Sequence, residues 1–226
     1  KADVAPLFKE SLHALEREAL RLDLSGVLSQ NRHPKNLGSP LTHPSISLDF
    51  AESQIEFISP TFTEEEKAVE FLREQHQYLT SFLGDELLWP LSSPCILEED
   101  SLIAIANFGK SEKAATKHLY RKGLNYRYGS QMQTFSGVHY NFSFSENLWK
   151  SFHEKFAPHS DLNDYISESY LAIVRNFLRL RFLLTYLFGA SPAMHKSFFK
   201  KIPSSFKEGA QGSLYLENAS SLRMGN

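Results

Sequence analysis

The chain has 226 residues, 42% of them hydrophobic, enough to bury a substantial core as one large domain or two small ones. A formal charge of −2 excludes any bulk electrostatic pull toward nucleic acid or an anionic membrane surface. The single cysteine, Cys95, excludes an internal disulfide and agrees with a reducing cytoplasm.

The chain opens on Lys1 rather than Met, which suggests a piece of something longer, and its start carries no secretory leader pattern. The first informative stretch is "LEREALRLD", residues 15–23. On a strand, residues i and i+2 point the same way, so Glu16 and Glu18 share a face. Two like charges there are poor material for an ordinary core. The next stretch, "SISLDFAESQIEFIS" (45–59), has strand periodicity, with Asp49 and Glu56 the acids that face an interior.

"TEEEKAVEFLREQHQYLTSFLGDE" reads as a helix, with Thr63 and Glu66 at capping-box spacing. Val69, Leu72, His76, Leu79 and Leu83 make its buried stripe, and Gly84 supplies a C-terminal stop. His76 on that stripe reads as a satisfied core histidine rather than a ligand. "WPLSSPCILEED" is Pro-broken loop, in which Cys95 has no neighbour that marks a nucleophile and reads as a small buried hydrophobe.

"NFGKSEK" lacks the earlier glycine of a phosphate loop, since position 104 is Ala; Ser111 reads instead as a helix N-cap. In "KHLYRKGLNYRYG", Lys113, Lys117 and Arg121 read as a solvated i, i+4 row, while Tyr120 and Leu124 share a different face suited to lining a pocket. "GVHYNFSFS" alternates again, with His139, Asn141 and Ser143 on one face and Tyr140, Phe142 and Phe144 on the other. "DYISESYLAIVRNFLRLRFLLTYLFGASP" reads as a long core helix with Ile166, Tyr170, Ile173, Phe177, Leu180, Leu184 and Leu187 along its buried side. Its mostly apolar stretch, "FLRLRFLLTYLFGA", is too short and too charged at Arg179 and Arg181 to span a bilayer. From Pro203 onward the chain reads as a polar, Gly-containing tail.

Three candidate strands therefore carry polar groups on one face and bulk on the other. The pattern suggests a sheet with an apolar back covered by helices and a polar front open to a ligand. Glu16, Glu18, Asp49, Glu56 and His139, brought together, would make the oxygen-rich cavity that Mg²⁺ takes, and the imidazole also suits Mn²⁺. The alternative is that these groups sit at solvent-facing strand ends.

Several blocks closely resemble the proteobacterial-type glutamate–cysteine ligases: "LEREALR", "LGSPLTHPSISLDFAESQIEFISP", "GDELLWPLSSPC", "LYRKGLNYRYGSQMQTFSGVHYNFS" and "YLFGASPA". The resemblance runs from about Leu15 to Arg223. It implies an α+β fold related to glutamine synthetase, with a curved antiparallel sheet flanked by helices. It also implies a Mg²⁺-dependent reaction, the first step of glutathione synthesis, in which the γ-carboxylate of L-glutamate attacks ATP to give γ-glutamyl phosphate and the amine of L-cysteine displaces phosphate.

By the same resemblance, Glu16, Glu18, Asp49, Glu56 and His139 are metal ligands, with Glu16, Glu18 and Glu56 central to catalysis. Phe50, Tyr120, Leu124, Gln133 and Arg223 surround cysteine, and Phe135 lies near glutamate. Ala14 stands where relatives commonly have Gly. Residues 1–226 would be the N-terminal part of a single catalytic domain, truncated on its C-terminal side and inactive in isolation, the full-length protein being a cytoplasmic monomer without nucleic-acid or membrane partners. The competing functions are a metal-dependent phosphate-ester hydrolase and a chain that binds ligands without catalysis.

Overall fold

The computed structural model describes residues 4–189 and 191–222. Its centre is strand β1 (Leu12–Leu22). Along one edge β1 pairs with β3 (Gln54–Ile58), outside which lies β2 (Ile46–Leu48). Along the other edge it pairs with β5 (Val138–Ser143) and then β4 (Leu87–Leu88). All these pairings are antiparallel.

The register sorts side chains by face, because residues directly opposite in a ladder project to the same side. Glu16 is opposite both Ile58 and His139, Glu18 is opposite Glu56, and Ala14 is opposite Asn141. Arg17, Ala19 and Leu15 oppose Phe57, Ile55 and Tyr140 on the back. The polar front and apolar back expected from the alternation are both present.

Helix α1 (Glu65–Thr80) covers the back, where Leu72, Leu79 and Leu83 pack with Ala19, Ile46, Leu48, Ile55 and Phe57. Full burial of each such Leu, Ile or Phe side chain contributes ~1.5–3 kcal/mol before conformational costs. The His76 ring stacks on Phe57 with centroids 4.0 Å apart. Its Nε2 accepts from Arg17 Nη1 at 2.9 Å, which assigns the ring proton to Nδ1, donating to Leu72 O at 2.6 Å. His76 is thus a satisfied packing residue. A second cluster, containing Leu20, Leu22, Leu28, Phe50, Cys95, Leu97 and Ile103, lies beneath the 89–105 loop. Burial holds the Cys95 thiol up to about 12, so it behaves as a hydrophobe.

Helix α2 (Glu112–Tyr128) starts where Ser111 Oγ accepts from Ala114 N at 3.2 Å, as its N-cap position predicts. Helices α3 (Glu146–Phe156) and α4 (Leu162–Phe188) follow. Among the described residues no helix is long and apolar enough to cross a membrane.

Five expectations need correction. The Thr63–Glu66 capping box does not form, because the helix begins at Glu65 with Glu64 at the N-cap and no side-chain cap bond. Ala68, not Val69, continues the buried stripe; Val69 is 54% exposed because the helix phase set by Leu72 and Leu79 turns it outward. Arg121 is not solvated, as described below. The stretch after Pro203 is not a tail: β7 (Phe206–Glu208) and β8 (Ser213–Leu216) join β6 (Ala193–His195) in a second antiparallel sheet, with Leu214 and Leu216 buried. Finally, no described residue of α4 is buried. Its N-terminal half meets α3, with Tyr170 against Trp149 at 4.9 Å, but Phe177, Leu180, Leu184 and Leu187 remain exposed.

Candidate metal centre and amino-acid pocket

One carboxylate oxygen each from Glu18, Asp49 and Glu56 lies within 4.8 Å of the others. Glu18 and Glu56 meet because they are cross-strand partners, and Asp49 joins them from the end of β2, two residues beyond Ser47, which opposes Glu56. Beside this triad, Glu16 Oε2 is 3.0 Å from His139 Nδ1 and its Oε1 accepts from Asn141 Nδ2 at 2.8 Å. His139 Nε2 is 3.9 Å from Glu18 Oε1, so the imidazole bridges the two groups. The main-chain N–H of Gly137 donates to Glu18 Oε2 at 2.7 Å. All five residues named from the sequence as oxygen and nitrogen donors therefore occupy one continuous strip of the front face.

The electrostatics are unfavourable as they stand. Unit charges this close repel by about 3 kcal/mol per pair at an effective dielectric constant of about 20. Burial, then the charges of Asp49, Glu18 and Glu16, pushes Glu56 up to about 7. Burial also raises Glu18 and Asp49 above the usual carboxylate range, against the Gly137 N–H and the Arg121 guanidinium respectively. The Glu16–His139 hydrogen bond works oppositely, lowering Glu16 and raising His139. Crowded oxygen donors whose raised values Arg121, Lys117 and His139 offset only in part fit a hard divalent cation, and the adjacent imidazole widens the choice to Mn²⁺.

Next to Asp49 opens a pocket of about 270 Å³ lined by Asp49, Phe50, Tyr120, Arg121, Leu124 and Gln133. Phe50 is buried at its base, and Leu124 packs against the same cluster. Four residues named from the sequence for an amino-acid site are thus gathered around one opening. Phe135 is set apart: its ring packs edge-on against Phe198 at 5.3 Å, and its carbonyl accepts from Gln54 Nε2 at 3.3 Å. Arg223 lies outside the described residues.

The glutamate–cysteine ligase family model matches residues 1–226. The chain belongs to the glutamate–cysteine ligase family. It is 47% identical over 215 residues to the glutamate–cysteine ligase of Shewanella oneidensis, covering 94% of this chain and 41% of that protein. It is 46% identical over 219 residues to the Pseudomonas putida enzyme, covering 97% and 42%. Among solved structures it resembles the glutamate–cysteine ligase of Francisella tularensis in complex with AMP, with a TM-score of 0.87, 34% identity, and coverage of 96% of this chain and 42% of that one. It also resembles a bifunctional glutathione synthetase from Pasteurella multocida, with a TM-score of 0.76, 32% identity, and coverage of 84% and 24%. The chain thus spans about 42% of the length of the glutamate–cysteine ligases it matches.

Two groups at this candidate site were not assigned to it from the sequence. Gly137 acts through its backbone, and its signal was only its place two residues before His139. Arg121 sits between Tyr120 and Asp49, and its neighbour in the sequence, Tyr120, was the available clue.

Proposed function

We propose that this chain supplies the cation- and substrate-binding face of an ATP-dependent glutamate–cysteine ligase working in the cytoplasm. The observation that carries the reading is the convergence of Glu18, Asp49 and Glu56 on one point, flanked by Glu16 and His139 and adjoining the pocket of Phe50, Tyr120, Leu124 and Gln133. In this reading the five front-face residues hold Mg²⁺, or Mn²⁺ in its place. A cation held there would supply neutralising charge for the nucleotide phosphate oxygens and the developing transition state.

The chain's own residues then do the positioning. ATP and the glutamate γ-carboxylate are both anionic, so an acidic face accepts them only together with cations. That makes nucleotide entry conditional on the metal. Glu18 keeps Oε1 for the cation because Oε2 is committed to the Gly137 N–H. The pocket beside Asp49 has an apolar floor at Phe50 and Leu124 and polar groups at Tyr120 and Gln133, which suits a small amino acid such as cysteine. Its amine would reach γ-glutamyl phosphate from the side of Asp49. By family resemblance, Arg223 would clamp a substrate carboxylate and Phe135 would stand near glutamate.

The test is ADP formation by the protein that carries this chain, measured with each amino acid omitted in turn. Turnover that requires glutamate and is accelerated by cysteine is expected. Phosphate release from ATP or simple esters that ignores both amino acids would overturn the ligase in favour of a hydrolase. Mn²⁺ titration of the chain, followed by electron paramagnetic resonance, tests the cation reading separately: Glu56→Gln is expected to abolish the tight site.

A further inference from the structure

Among the described residues β2 is an edge strand, with no strand paired along its outer side. Ser47 pairs with Glu56, so the neighbouring Leu48 carbonyl points away from β3. That carbonyl accepts from Arg121 Nη2 at 3.3 Å. The Asp49 carbonyl accepts from Arg121 Nε, and Nη1 donates to Lys117 O, in the same helix, at 2.9 Å. The guanidinium lies over the Phe108 ring, 4.5 Å from its centroid. Its planar fork thus spans consecutive carbonyls of the strand end and one carbonyl of α2, while a ring restrains its plane.

The two segments joined in this way carry different parts of the site. Asp49 leads from β2 to the carboxylate triad, and Phe50 follows it into the second core cluster. Tyr120 and Leu124 lie on α2, either side of Arg121 in the sequence, and line the pocket with Asp49. We propose that Arg121 is a positioning residue that docks α2 on the open edge of β2 and thereby holds the Asp49 carboxylate in place for the cation while setting the wall of the amino-acid pocket. This rests on the cation reading above for its consequence, but not for the clamp itself.

The geometry distinguishes a clamp from a nearby positive charge. A lysine ammonium keeps the charge but cannot present parallel N–H groups to neighbouring carbonyls, nor lie flat on Phe108. Arg121→Lys should therefore fail to rescue, behaving like Arg121→Gln. Groups that orient a ligating carboxylate typically account for ~10–100-fold in metal affinity.

The experiment compares the parent chain, Arg121→Lys, Arg121→Gln and, as control, Lys113→Ala, an exposed residue of the same helix. Mn²⁺ affinity is read by electron paramagnetic resonance, and hydrogen exchange of peptides spanning residues 46–57 is read without metal. Both Arg121 variants are expected to lose on the order of tenfold in Mn²⁺ affinity and to exchange faster across 46–57, with the control unchanged. Parental affinity in Arg121→Lys would reduce the role to charge and overturn the clamp. Unaltered exchange at 46–57 in both variants would overturn it too, whatever the metal does. If the parent itself failed to bind Mn²⁺, the cation reading would fall, while the exchange data would still decide whether Arg121 holds the strand end. A purely structural role would lower thermal stability and leave the affinity of the folded protein alone, which also counts against the proposal.

Discussion

Glu18 and Glu56 stand directly opposite each other in the β1–β3 ladder, with Asp49 bringing a third carboxylate oxygen within 4.8 Å. Backbone hydrogen bonds and the core packed behind the sheet hold together acids that would separate if free. The front face therefore costs stability, which a cation would restore.

The first prediction is the stability of the metal-free chain. Glu56 titrates at about 7 in the fold against 4.5 for an ordinary glutamate. Its proton is retained in the folded state and lost in the unfolded one across that window, so the parent loses stability as pH rises through it. Glu56→Gln removes this loss. The variant should melt a few degrees above the parent at about pH 8 and together with it near pH 4–5, as measured by thermal denaturation. A variant less stable than the parent at the higher pH would show that Glu56 is not held under repulsion.

Cation affinity should follow the same proton. Below the Glu56 value, Mn²⁺ binding must displace it, so affinity should fall by roughly tenfold per pH unit. The raised values of Glu18 and Asp49 extend the decline, and protonation of His139 works in the same direction. Titrations at about pH 6, 7 and 8 would read this slope. A flat affinity would remove Glu56 from the ligand set.

Gly137 offers a backbone test. A Cβ there would lie 2.8 Å from His139 Nε2 and 3.5 Å from Glu18 Oε1. The His139 side chain is 53% exposed, so it can swing outward without disturbing the fold. Gly137→Ala should keep the melting temperature but break the His139–Glu16 hydrogen bond. In the NMR titration His139 should return toward an ordinary histidine value, with Mn²⁺ affinity lower by about tenfold. An unchanged His139 titration would mean that the ring does not depend on this gap.

Core and surface leucines should separate cleanly. Leu79 is fully buried against the sheet, and Leu79→Ala should cost ~2–5 kcal/mol in denaturant unfolding. Leu180 is 57% exposed, and Leu180→Ala should change the stability of this chain by no more than about 0.5 kcal/mol. Equal losses would mean that α4 is covered in solution.

How much of this was legible can be argued residue by residue. The faces of β1 and β3 were readable because a half-buried strand alternates with period 2, so Glu16, Glu18 and Glu56 declared their side directly. That Glu16 meets His139, 123 positions away, is not a periodic property. Face alternation allowed the grouping and the resemblance made it a ligand set; the two side chains lie 3.0 Å apart. Arg121 was misread because an i, i+4 basic row looks the same whether it faces water or the bare carbonyls of an edge strand. The α4 stripe was misread because apolar content signals burial without saying what does the burying. Gly137 was silent because its contribution is an N–H and an empty space.

The separation between Glu16 and His139 has a consequence in time. At synthesis rates of about 5–20 residues per second, β1 waits ~6–25 s for the strand that carries His139 to be made. Glu18, Asp49 and Glu56 are all made well before it, and the edge of β1 that will take β5 stays open meanwhile. An open strand edge invites pairing with another copy of itself. Two β1 strands paired that way would bring Glu16 and Glu18 against their own duplicates, with like charges opposed. The repulsion that makes the finished front face costly would, during those seconds, disfavour that pairing of nascent chains.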